Sequence, residues 1–168
     1  INDFSISPDG TTLALALNNA TIEIRNYNDG QIRKPFEDWK IVDPFKFIKF
    51  LPSNSLLVSG SENGIARVWN INGTSIWETP KQDKDCKTIE INSLKSISIS
   101  NDGVKFVSLS DDNLINVWDI NLKSLLLSSK LDYGPIQRIS VSPDNKMLAY
   151  QAGSSSVVLW SIESHKQI

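Results

Sequence analysis

The residue types that most often carry catalysis or bind metals are scarce in this sequence. It has one histidine, His165, and one cysteine, Cys86. A nucleophile–histidine–acid arrangement would have to use His165, which has no nucleophile motif nearby, so we expect this histidine to be a solvent-exposed surface residue. Cys86 lies in a loop of mixed charge without a neighbouring base, which is typical of an inert thiol. A single cysteine also excludes a disulfide within the chain.

Carboxylates and glycine-rich loops add no stronger chemical signal. The adjacent acids Asp111 and Asp112 have no further oxygen ligands at a spacing that suits a cation, so the pattern favours a turn with a structural aspartate. No phosphate-binding loop ending in Gly-Lys-Ser/Thr, no Gly-x-Gly-x-x-Gly motif and no Cys/His cluster with zinc spacing occurs. The sequence therefore predicts a protein without catalytic residues, bound metal or cofactor.

Composition and charge indicate a folded protein and argue against some partners. The 168 residues carry a net charge of −2, with 40% hydrophobic and 21% charged residues. This balance is typical of globular chains, and nucleic-acid binders are usually basic. We expect an intracellular protein, cytoplasmic or nuclear, because the sequence shows neither a signal peptide nor an apolar run long enough to span a membrane. The first residue, Ile1, is not Met, which predicts that the natural chain begins earlier.

An internal repeat must position whatever residues carry the function. Four turn segments are each followed, 18 residues after their first residue, by an arginine or a tryptophan. The pairs are Ser7 and Arg25, Leu51 and Trp69, Ser100 and Trp118, and Ser142 and Trp160. The repeats start 44, 49 and 42 residues apart. A constant spacing inside the repeat with a variable spacing between repeats indicates one structural module connected by tolerant loops.

Each repeat reads as four short β-strands. Apolar residues alternate before each turn, as in Phe4 and Ile6, and β-branched and aromatic residues fill the segments that follow. Asp-Gly and Asn-Gly pairs such as Asp9-Gly10 and Asn63-Gly64 mark the connecting turns. The pattern predicts an all-β fold. A β-sandwich has a similar alternation of short strands and turns, although it does not require the same 18-residue interval four times.

The segment Val117-Trp118-Asp119 gives the sequence a family resemblance. A unit of about 40–45 residues with Trp-Asp at the end of its third strand resembles the WD-repeat β-propeller. Val68-Trp69-Asn70 and Leu159-Trp160-Ser161 match this signature in part. The resemblance implies four four-stranded antiparallel blades at about residues 1–36, 41–80, 93–130 and 135–168. It also implies structural roles for Trp69, Trp118, Asp119, Trp160 and Asp112.

The departures from the family pattern are informative. The Gly-His pair that usually begins each unit is absent, and the acid expected six positions before the tryptophan is present at Asp112, where the other repeats have Asn19, Asn63 and Ser154. The resemblance therefore implies divergent repeats with an incomplete hydrogen-bond network around the tryptophans. We expect the packing of these indoles between sheets to contribute more stability than the polar network.

Four blades are fewer than the seven that are common in the family. Each blade buries both of its faces against neighbours, so four blades alone would leave two apolar faces open. We therefore expect an incomplete ring or one that a partner completes. The alternatives are a segment of a longer propeller, a ring completed by another subunit, and a closed ring of four blades.

The resemblance places candidate binding residues on the loops of one rim, since the sheets themselves are occupied by packing. The candidates are Trp39, Lys40, Asp43, Glu62, Asp111, Tyr133 and Arg138, with Asn18, Phe45, Lys95 and Gly153 on the same loops. Trp39 and Tyr133 are favoured because exposed aromatic residues anchor protein interfaces, although both could instead cover a blade edge.

Three functions follow from these expectations. The first is a noncatalytic scaffold for protein–protein interaction within a larger assembly. The second is a propeller that binds nucleic acid or phosphate through basic residues at the channel mouth, which the charge balance disfavours. Those residues are Lys40, Lys46, Lys49, Lys95 and Arg138. The third, a propeller enzyme, would need a metal or a buried acid pair that the sequence does not offer.

Overall fold

The computed structural model describes residues 1–36, 43–80, 92–131, 135–153 and 156–168. Within these ranges every regular element is a β-strand, and none is a helix. The strands are β1 Asp3–Ile6, β2 Thr12–Ala16, β3 Ile22–Asn26, β4 Ile32–Phe36, β5 Phe45–Phe50, β6 Leu56–Ser61, β7 Ala66–Asn70, β8 Ser75–Glu78, β9 Leu94–Ile99, β10 Lys105–Ser110, β11 Leu114–Asp119, β12 Ser124–Lys130, β13 Ile136–Val141, β14 Met147–Ala152, β15 Ser156–Ser161 and β16 Lys166–Gln167.

Each run of four consecutive strands forms its own antiparallel sheet. The sheets are β1–β4, β5–β8, β9–β12 and β13–β16, and in each the strands lie in sequence order. A sandwich would instead assemble these strands into two sheets packed face to face. The predicted all-β fold of four-stranded antiparallel propeller blades is therefore confirmed. We number the sheets as blades 1 to 4.

The chain divides into two compact units, each with two blades. The first unit is Ile1–Ile91, and the second is Asn92–Ile168. In the first unit, the apolar face of blade 1 packs against strand β5 and the indole of blade 2. Its buried cluster consists of Ala14, Ala16, Ile22, Ile24, Phe45, Ile48, Phe50, Leu57 and Trp69. The small side chains of β2 allow the bulky residues of β5 to approach closely, so that sequence pattern and packing agree.

The second unit repeats this arrangement with larger side chains. One face of blade 3 packs against strands β13, β14 and β15 of blade 4. The cluster consists of Val107, Leu109, Ile115, Val117, Leu131, Ile136, Ile139, Leu148, Tyr150, Val158 and Trp160. Burial of these alternating residues is the hydrophobic term that holds the two blades of this unit together.

Polar side chains on the first strands also join the two blades of each unit. In the first unit, the Phe50 amide donates to Ser5 Oγ at 3.0 Å, and the Ile48 amide donates to Asp3 Oδ2 at 3.0 Å. In the second unit, the Val141 amide donates to Ser98 Oγ at 3.0 Å. Because these amides belong to the first strand of the following blade, the bonds fix the register between neighbouring blades.

The turns between first and second strands are closed by a serine and an aspartate. Ser100 Oγ donates to Asp102 Oδ1 at 2.6 Å and accepts from the Lys105 amide at 2.8 Å. Blades 1 and 4 have the same arrangement, whereas blade 2 has Leu51 at the serine position. The hydrogen bond from Ser100, followed by the one from the Val104 amide, lowers the pKa of the Asp102 carboxyl.

The turns between second and third strands need a left-handed residue at one position. This position is Gly64 in blade 2, with φ of 82°, and Asn113 in blade 3, with φ of 63°. Blade 1 has Ala20 at the corresponding place, with φ of 60°. Glycine and asparagine tolerate this conformation, whereas the alanine Cβ is crowded in it.

Candidate functional site

The tryptophans of blades 2 and 3 lie in the core and are hydrogen-bonded there. The Trp69 indole donates to Ser59 Oγ at 2.8 Å, and the Trp118 indole donates to Ser108 Oγ at 2.9 Å. Both tryptophans are at most 2% exposed. Neither serine was among the predicted structural residues, although each lies ten positions before its tryptophan, a constant spacing that can be read from the sequence. These indoles serve the structure of their blades and are not available to a ligand.

Blades 1 and 4 replace this pair with different contacts. Arg25 occupies the tryptophan position of blade 1, and its Nε and Nη2 donate to Glu23 Oε2 at 3.0 and 2.7 Å. In blade 4, Tyr150 stands where the other two blades have the serine. His165 is exposed, as expected, but its ring also lies parallel to Trp160 with a centroid distance of 6.0 Å.

The residue after each tryptophan, and after Arg25 in blade 1, accepts a hydrogen bond in the turn that follows the third strand. Asp119 Oδ1 accepts from the Leu122 amide at 2.8 Å. Asn26, Asn70 and Ser161 accept in the same way in the other blades. A short polar side chain that satisfies a turn amide explains why this position holds aspartate, asparagine or serine.

Asp112 closes the turn before the third strand of blade 3. Its Oδ1 accepts from Ser110 Oγ at 2.6 Å, as Asn63 Oδ1 accepts from Ser61 Oγ in blade 2. Burial raises the pKa of the Asp112 carboxyl, but hydrogen bonds from Ser110, Asn92 and the Leu114 amide outweigh burial and lower this pKa below its ordinary value. The ionised carboxylate is therefore the form that the folded chain favours.

Two rim candidates of the first unit are already engaged with their neighbours. Glu62 forms an ion pair with Lys46 at 3.1 Å, and its amide donates to the Pro44 carbonyl at 3.2 Å. Asp43 Oδ2 accepts from Asn63 Nδ2 at 2.6 Å. Because Phe45 pairs with Ser61, the start of β5 and the end of β6 meet at one end of the sheet. This pairing brings the predicted residues Asp43 and Glu62 to the same end of blade 2.

Blade 3 in the second unit has the equivalent arrangement. Lys95 Nζ lies 3.6 Å from Asp111 Oδ1 and donates to the Asp111 carbonyl at 3.3 Å. The Asp111 amide donates to the Ser93 carbonyl at 2.9 Å, which parallels the Glu62–Pro44 bond. The rim of each of these blades therefore presents a lysine paired with a carboxylate, and the carboxylate side chains remain about half exposed.

Of the remaining predicted residues, some lie in the part of the chain that the structure describes and others lie outside it. Trp39, Lys40 and Tyr133 lie outside the described residues, as does Cys86. Arg138 is exposed on β13, Asn18 and Gly153 are exposed in turns, and Phe45 is buried in the core of its unit. Thus Phe45 belongs to the packing between blades 1 and 2 and not to an exposed rim.

The basic residues considered for polyanion binding are mostly neutralised where they are described. Besides the pairs at Lys46 and Lys95, Lys49 Nζ lies 3.1 Å from Asp3 Oδ2. The described residues contain no group of three or more histidine, cysteine, aspartate or glutamate side chains that could hold a metal ion. They also contain no helix with the length and hydrophobicity needed to cross a membrane.

Comparison with known families adds to this geometry. The family model "WD domain, G-beta repeat" matches residues 43–70 and 85–119. The two matches end at Asn70 and Asp119, which follow the two hydrogen-bonded tryptophans.

Several curated proteins are similar to the chain at low identity. U3 small nucleolar RNA-associated protein 12 of Saccharomyces cerevisiae is 24% identical over 99% of this chain and 18% of its own length. Apoptotic protease-activating factor 1 of Rattus norvegicus is 24% identical over 96% of this chain and 12% of its own length. Protein HIRA of Dictyostelium discoideum is 24% identical over 65% of this chain and 11% of its own length. The chain thus spans less than a fifth of each of these relatives. The family model thus identifies WD repeats of the G-beta type at residues 43–70 and 85–119, and the four four-stranded sheets agree with this similarity.

Proposed function

We propose that this chain is a noncatalytic scaffold that binds other proteins within an intracellular assembly. The observation that supports this proposal is that the acidic residues with a lowered pKa accept hydrogen bonds within the turns of the blades. The carboxyls with lowered pKa, Asp9, Asp102, Asp112 and Asp144, each accept hydrogen bonds that close a β-turn of a blade. Groups with a perturbed pKa often mark catalytic sites, but here these groups serve the fold.

The rim supports a binding role. The ion pairs Lys46–Glu62 and Lys95–Asp111 leave polar, half-exposed side chains at the strand ends of blades 2 and 3. Loops held by a rigid sheet are a common location for protein recognition. The relatives' names describe association with an RNA and activation of a protease, and both are tasks performed together with other molecules. We propose that the exposed residues Glu62, Asp111 and Arg138 and the partly buried Asp43 bind the partner. We propose the same role for Trp39, Lys40 and Tyr133, which lie outside the described residues.

Nucleic-acid binding is less well supported. Of the five basic residues proposed for it, Lys46, Lys49 and Lys95 have a carboxylate within 4 Å, which reduces the positive potential available to a polyanion.

A capture experiment with matched variants tests the scaffold proposal. The full chain carries an affinity tag, and proteins retained from cell extract are identified by quantitative mass spectrometry. The test variant combines Asp43→Ala, Glu62→Ala and Asp111→Ala. The control is Glu163→Ala, which removes an exposed carboxylate from the turn after β15. Melting temperatures establish that both variants are folded.

We expect specific proteins to be lost with the triple variant and retained with the control. An identical set of proteins on the wild-type chain and the folded triple variant would contradict the rim assignment. Retention of no specific protein by the wild-type chain would contradict the scaffold proposal itself.

A further inference from the structure

Blades 1 and 4 each have one side that carries large, exposed apolar residues. In blade 1, the side opposite the buried cluster of its unit carries Phe4 and Ile6, which are 58% and 43% exposed. In blade 4, the side opposite the buried cluster of its unit carries Val157 and Leu159, which are 73% and 42% exposed. We call these two surfaces the blade 1 face and the blade 4 face. Apolar side chains grouped on one side of a sheet mark a contact surface.

The blade 1 face repeats a surface that is buried in blades 2 and 4. Phe4 lies three residues before the first turn of its blade, and so do Ile48 in blade 2 and Ile139 in blade 4. Both isoleucines belong to the buried clusters in which the two blades of each unit pack together. Phe4 therefore stands at a position that packs against the preceding blade elsewhere in this chain. The blade 1 face is one half of a blade-to-blade contact.

The blade 4 face has the pattern of the other half. Val157 and Leu159 lie on the third strand, at the positions that Ile22 and Ile24 hold in blade 1. Those two isoleucines are buried against blade 2. The third strand of blade 3 contributes the same positions to the cluster that it shares with blade 4. The blade 4 face therefore presents the residues that receive a following blade.

Each face also carries a polar departure from this pattern. Gln151 of the blade 4 face stands where blade 1 has Ala16. On the blade 1 face, Arg25 stands at the tryptophan position and forms an ion pair with Glu23 at 2.7 Å. A purely aliphatic surface packed on either face would bury these polar groups without a polar neighbour, which costs free energy. Each face therefore favours a partner surface that brings a polar group of its own.

The register within the first unit shows that the two faces meet this requirement for each other. There the Ile48 amide donates to the residue of β1 that pairs with Ala16. A contact of the same register sets Phe4 beside Gln151, because these residues correspond to Ile48 and Ala16. Glu23 lies at the level of Phe4, since both pair with the same residue of β2. The Gln151 amide can then donate to the Glu23 carboxylate.

We propose that the blade 4 face of one copy of this chain packs head to tail against the blade 1 face of a second copy. The second copy is the occupant because the chain supplies both halves of the contact and the polar groups of the two halves match. A contact between two different surfaces is heterologous, so each surface can be blocked separately. This contact involves no rim residue and no other protein, so it is independent of the proposed scaffold function.

The test is sedimentation equilibrium of the full chain over a wide range of protein concentrations. Phe4→Arg blocks the blade 1 face, and Val157→Arg blocks the blade 4 face. The control is Leu122→Arg, which makes the same kind of change at a similarly exposed residue in the turn after β11. Circular dichroism and melting temperatures establish that all variants are folded.

We expect the wild-type chain and the control to associate as the concentration rises. Each blocked variant alone should associate more weakly, with a dissociation constant raised about thirtyfold or more, as for a central interface residue. A mixture of the two blocked variants should recover association as a one-to-one complex, because each variant retains the face that the other has lost.

A further variant tests the polar match. Gln151→Leu makes the blade 4 face more apolar, but it leaves the Glu23 carboxylate without its amide donor. We therefore expect association to weaken about fivefold to tenfold, the effect of one lost hydrogen bond to a charged group. Stronger association would show apolar adhesion without a polar match, which removes the reason for choosing a second copy as the occupant.

Three other outcomes overturn the proposal. A wild-type chain that stays monomeric at every concentration would show that a second copy does not cover these faces. Undiminished association of either blocked variant alone would show a symmetric contact between two identical surfaces. Failure of the mixture to recover association would exclude the head-to-tail arrangement. None of these results affects the rim, which the capture experiment tests separately.

Discussion

At the scale of single residues, the pairing of Trp118 with Ser108 is the contact that the sequence analysis did not foresee. We expect Trp118→Ala to lower the free energy of unfolding by about 3–5 kcal/mol, because it removes a large buried side chain. Ser108→Ala should cost about 1–3 kcal/mol, because it removes the acceptor of a buried N–H group. Chemical denaturation measures both, with the exposed Ser128→Ala of the same blade as the control. A loss for Trp118→Ala no larger than that of the control would contradict the core role.

The Asp112 turn gives a prediction about pH. Because the pKa of Asp112 is lower in the folded chain than its ordinary value of 3.8, its ionised form stabilises the fold above that value. This contribution is lost as the pH falls below 3.8 and through the lowered pKa. Asp112→Asn keeps an oxygen acceptor, as Asn63 does in blade 2, but cannot titrate. We expect the variant to lose less stability between pH 6 and acid than the wild type.

Unfolding curves recorded at several pH values check this expectation. Asp29→Asn is a suitable control, because Asp29 is an exposed turn residue of blade 1. Equal acid sensitivity in wild type and Asp112→Asn would show that the Asp112 carboxylate does not contribute.

At the scale of strands and blades, the hydrogen bonds between first strands can be tested directly. Ser5→Ala removes the acceptor of the Phe50 amide, which should cost about 1–3 kcal/mol and speed hydrogen exchange at that amide. The matched control is Ser140→Ala, since Ser140 holds the equivalent position on β13 and is exposed. We expect a change within about 0.5 kcal/mol for the control. Unaltered exchange at Phe50 in Ser5→Ala would contradict the role of this bond in register.

Much of the element-level description follows from the sequence. Alternation in segments such as Phe4–Ile6 and the 18-residue interval were sufficient to predict the strands and their grouping into four sheets. These patterns report local geometry, which is set by nearest neighbours along the chain. The blade boundaries at 1–36, 41–80, 93–130 and 135–168 stay a prediction, since several connecting segments lie outside the described residues.

The candidate site was less predictable for a physical reason. Glu62 and Asp111 were identified as rim residues, but their pairing with Lys46 and Lys95 depends on side chains that approach across strands. Such contacts have no fixed spacing in the sequence.

At the scale of the whole molecule, charge decides which partners are favoured. With a net charge of −2 and three of the described lysines in ion pairs, we expect weak binding to polyanions. Fluorescence anisotropy with a labelled 20-nucleotide RNA between 50 and 200 mM salt measures this. We expect no saturation at micromolar protein and no steep dependence on salt. Tight binding that weakens steeply with salt would favour the nucleic-acid alternative.

The left-handed backbone of Ala20 in blade 1 predicts that a single substitution raises the melting temperature of this protein. Ala20 has a left-handed φ, as Gly64 has at the corresponding position of blade 2. The substitution Ala20→Gly therefore removes a crowded methyl group and introduces the residue that blade 2 has there. Relief of the crowding, of about 1–2 kcal/mol, exceeds the entropy that glycine adds to the unfolded chain, of about 0.4–1 kcal/mol. We expect a melting temperature a few degrees higher, and a lower one would show that the methyl makes a compensating contact. The differences between these repeats therefore indicate a route to higher thermostability, in which a residue of one blade replaces the residue at the corresponding position of another blade.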